Sequence, residues 1–159
     1  MGMLTIRAAT VEDVPTLLDF IHALAEEERF ADPITATAES LRQALFSPTP
    51  AAFARVACLD DTAVGFAIYY FTFSTTLGQR GLHLDDLYVS ASARGHGVGR
   101  ALLAHLARLA RHEGCGRFEW WALRWNDKAI AFYKKLGIAT RDELVLFRAS
   151  GEALLALAA

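Results

Sequence analysis

Hydrophobic and polar positions alternate in two rhythms along this chain, and the change from one to the other predicts its elements. Leu4 to Ala8 alternates over a stretch short enough for a first strand. Thr10, with Asp13 three residues on, has the form of a capping box and opens a helix predicted to run through Glu27. Leu17, Ile21 and Leu24 then share one face at helical spacing, and Pro15 falls in the first turn, where a missing N–H costs least. A second helix is predicted over Ala38 to Phe46, capped by Thr37 and stopped by Ser47-Pro48.

Ala52 to Leu59 and Val64 to Phe73 are rich in β-formers, and Asp60-Asp61-Thr62 between them is a hairpin signal. Leu82 to Val89 reads as another strand, entered from a loop over Ser74 to Gly81. Beyond it, strand and helix alternate. Gly97 to His112 is amphipathic through Leu102, Leu103, Leu106, Leu109 and Ala110, and Gly114 ends it. Arg117 to Leu123 is predicted as a strand, Asn126 to Leu136 as a helix stopped by Gly137, and Leu144 to Arg148 as a last strand. Hairpins followed by βαβα imply an α/β fold with one mixed sheet.

No repeat, low-complexity stretch or linker divides the 159 residues, so residues 1–159 are expected to form a single domain. Hydrophobic residues make up 53% of the chain and charged residues 21%, which excludes a disordered chain. A net charge of −2 argues against a nucleic-acid partner, since counterion release needs a basic excess. The longest apolar run, Ala63 to Phe73, is too short to span a bilayer, and the first ten residues lack the regions of a signal peptide. No membrane association and a cytoplasmic location are therefore expected. Cys58 and Cys115 are far apart without CxxC spacing, so neither a disulfide framework nor a zinc site is expected. The five histidines make no case for a metal: His105 and His112 lie two turns apart on one helix. His83 would share the side of a regular strand with Asp85, either as an accessory proton carrier or as an ordinary strand residue.

Candidate chemistry begins at Arg94-Gly95-His96-Gly97-Val98-Gly99, which follows a predicted strand and opens a predicted helix. A helix start exposes unpaired N–H groups and the positive end of its dipole, and glycines let an anion come close. Arg94 and Arg100 add positive charge for phosphate oxygens. No Lys-Ser/Thr pair follows, so this is not a P-loop, and the spacing does not fit a dinucleotide fingerprint. Packing alone also produces glycine-rich strand-to-helix turns.

Arg94-x-x-Gly97-x-Gly99 after Leu84-Asp85-Asp86-Leu87-Tyr88-Val89 resembles the acetyl-CoA pyrophosphate loop of the GNAT N-acetyltransferases. The resemblance is to the spermidine/spermine (diamine) acetyltransferase group and covers nearly the whole chain. It includes Val64 through Phe71, Trp125-Asn126, and Ala131-Phe132-Tyr133-Lys134-Lys135-Leu136-Gly137. It implies a mixed, mostly antiparallel sheet flanked by helices, with acetyl-CoA in a splay between parallel strands Leu82 to Val89 and Arg117 to Leu123. Main-chain groups of Leu87, Tyr88 and Val89 would hold the pantetheine arm. N–H groups from Gly95 through Arg100, thus including His96, Val98 and Gly99, would hold the pyrophosphate. Asn126 would touch the cofactor from the next helix.

Acetyl transfer needs a neutral amine, a donor for the oxyanion and an acid for the departing thiolate. By resemblance, Tyr133 is the general acid, and Asp85 takes the substrate proton through water. Taken alone, Tyr133 reads as a tyrosine packed beside Phe132, and Asp85-Asp86 as solvated carboxylates ending a strand. Glu28 matches a position that contacts the substrate cation. With Asp85, Glu119 and the aromatic Trp120, Trp121, Tyr69 and Phe73, it would line an anionic path for a polyamine or diamine. The loop Ser74-Thr75-Thr76-Leu77 departs from the group, in which an aromatic is common there.

The expected activity is direct transfer in a ternary complex from acetyl-CoA to a small cationic amine. Cys58 and Cys115 lie outside the matched catalytic positions, which disfavours a covalent enzyme intermediate. A lysine-like or thialysine-like amino acid and a protein amine are alternative acceptors, and a non-catalytic acyl-CoA-binding module is the alternative of a different class. A homodimer is expected from the resemblance, with the apolar tail Ala153 to Ala159 as a candidate contact or a segment docking on its own subunit.

Overall fold

A computed structural model describes residues 2–159 of the chain. Five strands stand side by side in chain order: β1 (Leu4–Ala8), β2 (Phe53–Leu59), β3 (Thr62–Ser74), β4 (Gln79–Val89) and β5 (Arg117–Trp120). The first three pairings are antiparallel and only β4–β5 is parallel. That is the expected mixed, mostly antiparallel sheet. The chain divides into two compact units, Met1–Leu123 and Arg124–Ala159, and the sheet belongs wholly to the first.

Local chemistry accounts for the connections. Leu59 pairs with Thr62, so β2 and β3 join through a two-residue turn in which Asp60 (φ 45°) and Asp61 (φ 64°) are left-handed. Aspartate tolerates that conformation better than most residues, and such turns match the twist of a hairpin. Half of the predicted loop Ser74 to Gly81 is strand: Ser74 pairs with Gln79, leaving residues 75–78 outside the ladder. Ser74 makes the short turn possible, since its Oγ accepts from Leu77 N–H at 3.2 Å and its C=O from Gly78 N–H at 2.8 Å.

Two helices, α1 (Val14–Glu27) and α2 (Ala38–Phe46), fall close to prediction, although one 3₁₀ turn over Val11–Asp13 precedes α1. The capping groups do what their spacing suggests. Thr10 N–H donates to Asp13 Oδ2 at 2.7 Å, and Ser40 N–H donates to Thr37 Oγ1 at 3.1 Å. Leu17 of α1 and Leu45 of α2 pack with Val56, Phe66 and Ile68 of the sheet in one apolar cluster. Helix α3 (Val98–His112) lies against strands of the same sheet with Val98, Leu102, Leu103, Leu106 and Ala110 buried. A fully buried leucine such as Leu17, Leu102 or Leu106 contributes about 1.5–3 kcal/mol.

Two predicted strands differ from the structure. The strand expected over Arg117 to Leu123 ends at Trp120, because β4 bends away at Asp85 and no ladder continues. Leu144 to Arg148 has no regular structure at all; β-forming residues make a strand only where an edge is available to pair. In the second unit, α4 (Asp127–Lys135) agrees with expectation. The apolar tail is a helix, α5 (Gly151–Ala158), built from strong helix formers after Ser150.

Candidate active site

The site is built on β4. Its parallel ladder with β5 runs from Gly81–Arg117 to Leu84–Trp120 and stops, while β4 continues to Val89 paired with β3. From Asp85 onward the side of β4 that faced β5 has no strand partner among the described residues. Its outward N–H and C=O groups need other partners, which is what a splayed binding edge provides. Leu87, Tyr88 and Val89, expected to hold the pantetheine arm, lie along this edge.

The change of course has a local cause. Ile68 pairs with Asp86 and Tyr69 with Leu84, so Asp85 is an extra residue in β4, a β-bulge. Asp85 therefore has no partner on β3, and its charge still acts on His83 and on Tyr70, the pair that precedes the bulge. Asp85 is exposed, whereas Asp86 joins the face of Ile68 beneath α1 and is partly buried.

Burial, then the charge of Asp85, then that of Glu28, push the Asp86 carboxyl up to about 7. Glu28, the C-cap of α1, is itself raised by burial and by Glu27. The structure thus brings three acidic residues together: Asp85, Asp86 and Glu28. Asp86 is the functional candidate that the sequence concealed, because alternation cannot tell which of two adjacent aspartates turns inward across a bulge. Glu119, expected to join them, is held by Arg117, with Nε 2.8 Å from Oε1.

The aromatic candidates separate. Trp121 meets His83 edge-on with ring centroids 4.8 Å apart, and Tyr70 covers the other partner position at 5.0 Å. Trp120 instead packs against Phe118 at 4.9 Å, alongside Leu82 and Leu84, the strand partners of this pair. Tyr69 is a core residue, 2% exposed, in ring contact with Phe53 and Phe71, while Phe73 lies out in solvent.

The glycine-rich segment joins β4 to α3. Gly95 (φ 78°) and Gly97 (φ 79°) are both left-handed, a conformation costly for any other residue, and the space where a Cβ would stand is open at each. Gly97 C=O accepts from Ala101 N–H, so the N–H groups of Val98, Gly99 and Arg100 are first-turn donors with no intrahelical acceptor. Donors at a helix start beneath open glycines fit a pyrophosphate, and the unpaired edge of β4 fits an extended amide-bearing arm. Arg94 enters this turn engaged: both Glu27 carboxylate oxygens accept from its Nη2, at 2.6 and 2.7 Å, and Val89 C=O accepts from Nε at 2.8 Å. Its charge is already answered within the protein.

Within the second unit, Asn126 caps α4, its Oδ1 accepting from Ala129 N–H at 3.1 Å. That leaves its amide N–H groups for a ligand. Tyr133 rides on α4 beside Phe132, ring centroids 5.3 Å apart. Among the described residues no group of three or more His, Cys, Asp or Glu side chains is placed to hold a metal, and no helix is long and apolar enough to cross a membrane.

Comparison with known proteins agrees with this arrangement. The family described as Acetyltransferase (GNAT) matches residues 17–138. Thialysine N-epsilon-acetyltransferase of Sus scrofa is 34% identical over 99% of each chain. The spermidine/spermine N(1)-acetyltransferase-like protein 1 of Homo sapiens is 31% identical over 99% of this chain and 24% of its own. Among solved structures, an integron cassette protein from the mobile metagenome of V. cholerae superposes with a TM-score of 0.78, 32% identity and 99% coverage of both chains. By family match, full-length similarity and sheet topology together, the chain belongs to the GNAT acetyltransferase family and has its fold.

Proposed function

We propose that the chain transfers the acetyl group of acetyl-CoA to a primary amine of a small cationic acceptor, by direct attack with both substrates bound. The observation that carries this reading is the carboxylate group Asp85, Asp86 and Glu28 at the open end of β4, with Asp86 held near neutrality. Acetyl-CoA, when bound, supplies an activated acetyl group as a thioester. The first-turn N–H groups of Val98, Gly99 and Arg100 would hold its pyrophosphate, and by the family resemblance Asn126 would add a contact. Asp85 and Glu28 draw the acceptor's positive charge to the site. The ammonium proton passes to the Asp85–Asp86 pair, directly or by water, because a carboxyl near 7 is well matched to accept a proton at neutral pH. By the family resemblance, Tyr133 would give its hydroxyl proton to the thiolate as the C–S bond breaks, and the second proton of the attacking nitrogen, lost as the amide forms, would restore it.

A lysine-like or thialysine-like acceptor is the second reading. The 34% identity to thialysine N-epsilon-acetyltransferase supports it, as does the Ser74–Leu77 turn, which lacks an aromatic. The same proposal includes a cytoplasmic homodimer, testable by the mass in solution. A thiol-release assay with acetyl-CoA separates the acceptors: spermidine, putrescine, lysine, thialysine, an aminoglycoside and a basic peptide. Turnover of one small cationic amine is the expected result. Acetyl-CoA binding without turnover of any amine would overturn the reading in favour of a binding module.

A further inference from the structure

A cavity of about 400 Å³ lies between α3 and β1, at the sheet edge opposite β5. Its walls are Leu4 and Ile6 of β1 with Ala101, Ala104, His105 and Arg108 of α3. The four helical residues stand at i, i+3, i+4 and i+7 and so form one face of α3. Ala8 pairs with Arg55, and Ile6 with Ala57. Directly opposed residues share a face and alternate residues return to it, so Arg55 lies on the cavity's side of the sheet.

Arg55 Nε is buried and has no hydrogen-bond partner. The guanidinium lies over the ring of Tyr69, with Cζ 5.7 Å from the centroid. A ring contact answers the flat face of the guanidinium and leaves its in-plane N–H groups without an acceptor. Among the described residues neither Arg55 nor Arg108 has an ion-pair partner. His105 stands close to both: burial first, then the charge of Arg55, then that of Arg108, push its imidazole down. Three basic side chains thus gather beside one cavity, and no carboxylate lines it. Charged donors taken out of water without an acceptor are unfavourable, and an anion supplies what is missing.

The walls narrow the choice of anion. A guanidinium fork matches the two oxygens of a carboxylate. Leu4, Ile6, Ala101 and Ala104 offer apolar surface that a hydrocarbon chain would cover. Inorganic phosphate would leave that surface unused and turn some of its own oxygens toward it without donors. Strands β2 and β3 stand between β1 and β4, so the cavity is on the order of 15 Å from the open edge of β4.

We infer that the cavity between α3 and β1 is a second ligand site, for an aliphatic monocarboxylate held by Arg55, His105 and Arg108 with its chain on Leu4, Ile6, Ala101 and Ala104. The site is separate from the acetyl-transfer centre and stands whether or not that reading does.

The test titrates the whole chain with hexanoate, hexan-1-ol and inorganic phosphate by calorimetry, with Tm followed in parallel. Hexanoate is expected to bind saturably and raise Tm, at least ~10-fold more tightly than the alcohol or phosphate. Arg108→Gln, at an exposed position, and Arg55→Met should each weaken hexanoate binding ~10-fold or more. Arg55→Met should hold or raise the Tm of the unliganded protein, because it removes a buried donor that lacks an acceptor. Ala104→Leu fills the cavity and leaves all three basic groups in place, and it should abolish binding. If Arg55→Met does not fold, Arg108→Gln and Ala104→Leu decide the matter. No saturable binding to the wild type would overturn the site, as would binding that survives Arg108→Gln and Ala104→Leu. Equal affinity for phosphate or hexan-1-ol would overturn the ligand class. Competition between hexanoate and coenzyme A would move the binding to the β4 edge and remove the second site.

Discussion

Arg94 and Glu27 are joined through both carboxylate oxygens, at 2.6 and 2.7 Å, and this pair ties the last residue of α1 to the segment entering the glycine turn. Both side chains are about 40% exposed, so the pair itself stabilises the fold by only about 0–1 kcal/mol. Its effect is positional, since Glu28 is the next residue. Glu27→Gln is expected to change Tm by less than ~4 °C yet raise the amine KM ~3–10-fold, read by steady-state kinetics. The acetyl-CoA Kd should hold or tighten, because the freed guanidinium becomes available to phosphate. An unchanged amine KM would separate Glu28 from this pair.

Asp86 makes stability and activity respond to pH in opposite directions. Its carboxyl stays protonated up to about 7 in the folded chain, whereas an unfolded aspartate loses its proton near 4. Between those values the unfolded state binds fewer protons, so the contribution of Asp86 is complete below about 4 and is lost as pH rises through about 7. Asp86→Asn removes that slope. At pH 8 it should raise Tm by several degrees, since the difference between about 4 and about 7 corresponds to at most roughly 4 kcal/mol, while leaving Tm at pH 4 unchanged. The same substitution should lower kcat/KM by ~100-fold and abolish its rise toward neutral pH.

Gly97 requires its left-handed φ of 79°, and no neighbouring atom crowds the position. Gly97→Val should therefore cost about 1–2 kcal/mol of stability from conformation alone. It should also weaken acetyl-CoA binding by more than ~10-fold, measured by calorimetry, because the branched side chain fills the space above the helix start. Normal affinity in a folded variant would remove the turn from the cofactor site.

Tyr133→Phe keeps the ring that packs on Phe132 and removes only the hydroxyl. It is expected to cut kcat by ~100-fold or more with acetyl-CoA affinity unchanged. A kcat near that of the wild type would show that another group protonates the thiolate.

Most of the fold is legible from local signals. Thr10 and Thr37 mark helix entries, Asp60-Asp61 a hairpin, and Gly97 and Gly114 the ends of α3, because each is decided by chemistry within a few residues. What escapes prediction depends on pairing. Nothing local in Leu144–Arg148 reveals that no strand edge receives it, and nothing in Arg117–Leu123 reveals that its partner bends away after Leu84. The site divides along the same line. Asp85, Glu28 and the glycine turn carry motif signals, whereas the inward place of Asp86 exists only through the register of β3 against β4. The motif at Arg94 specifies a charge and does not reveal Glu27, the carboxylate that engages it.

The extra residue at Asp85 makes β4 a strand whose parity changes once along its length. Every position after it presents the side that an uninterrupted strand would turn the other way, so Asp86 and Tyr88 owe their inward face to a count and not to their own identity. Substitutions on either side of Asp85 perturb one contact each. A single-residue deletion there would instead reverse the whole run from Asp86 to Val89, exchanging its two faces at a stroke. Across this short stretch, chain length is under a stricter constraint than composition.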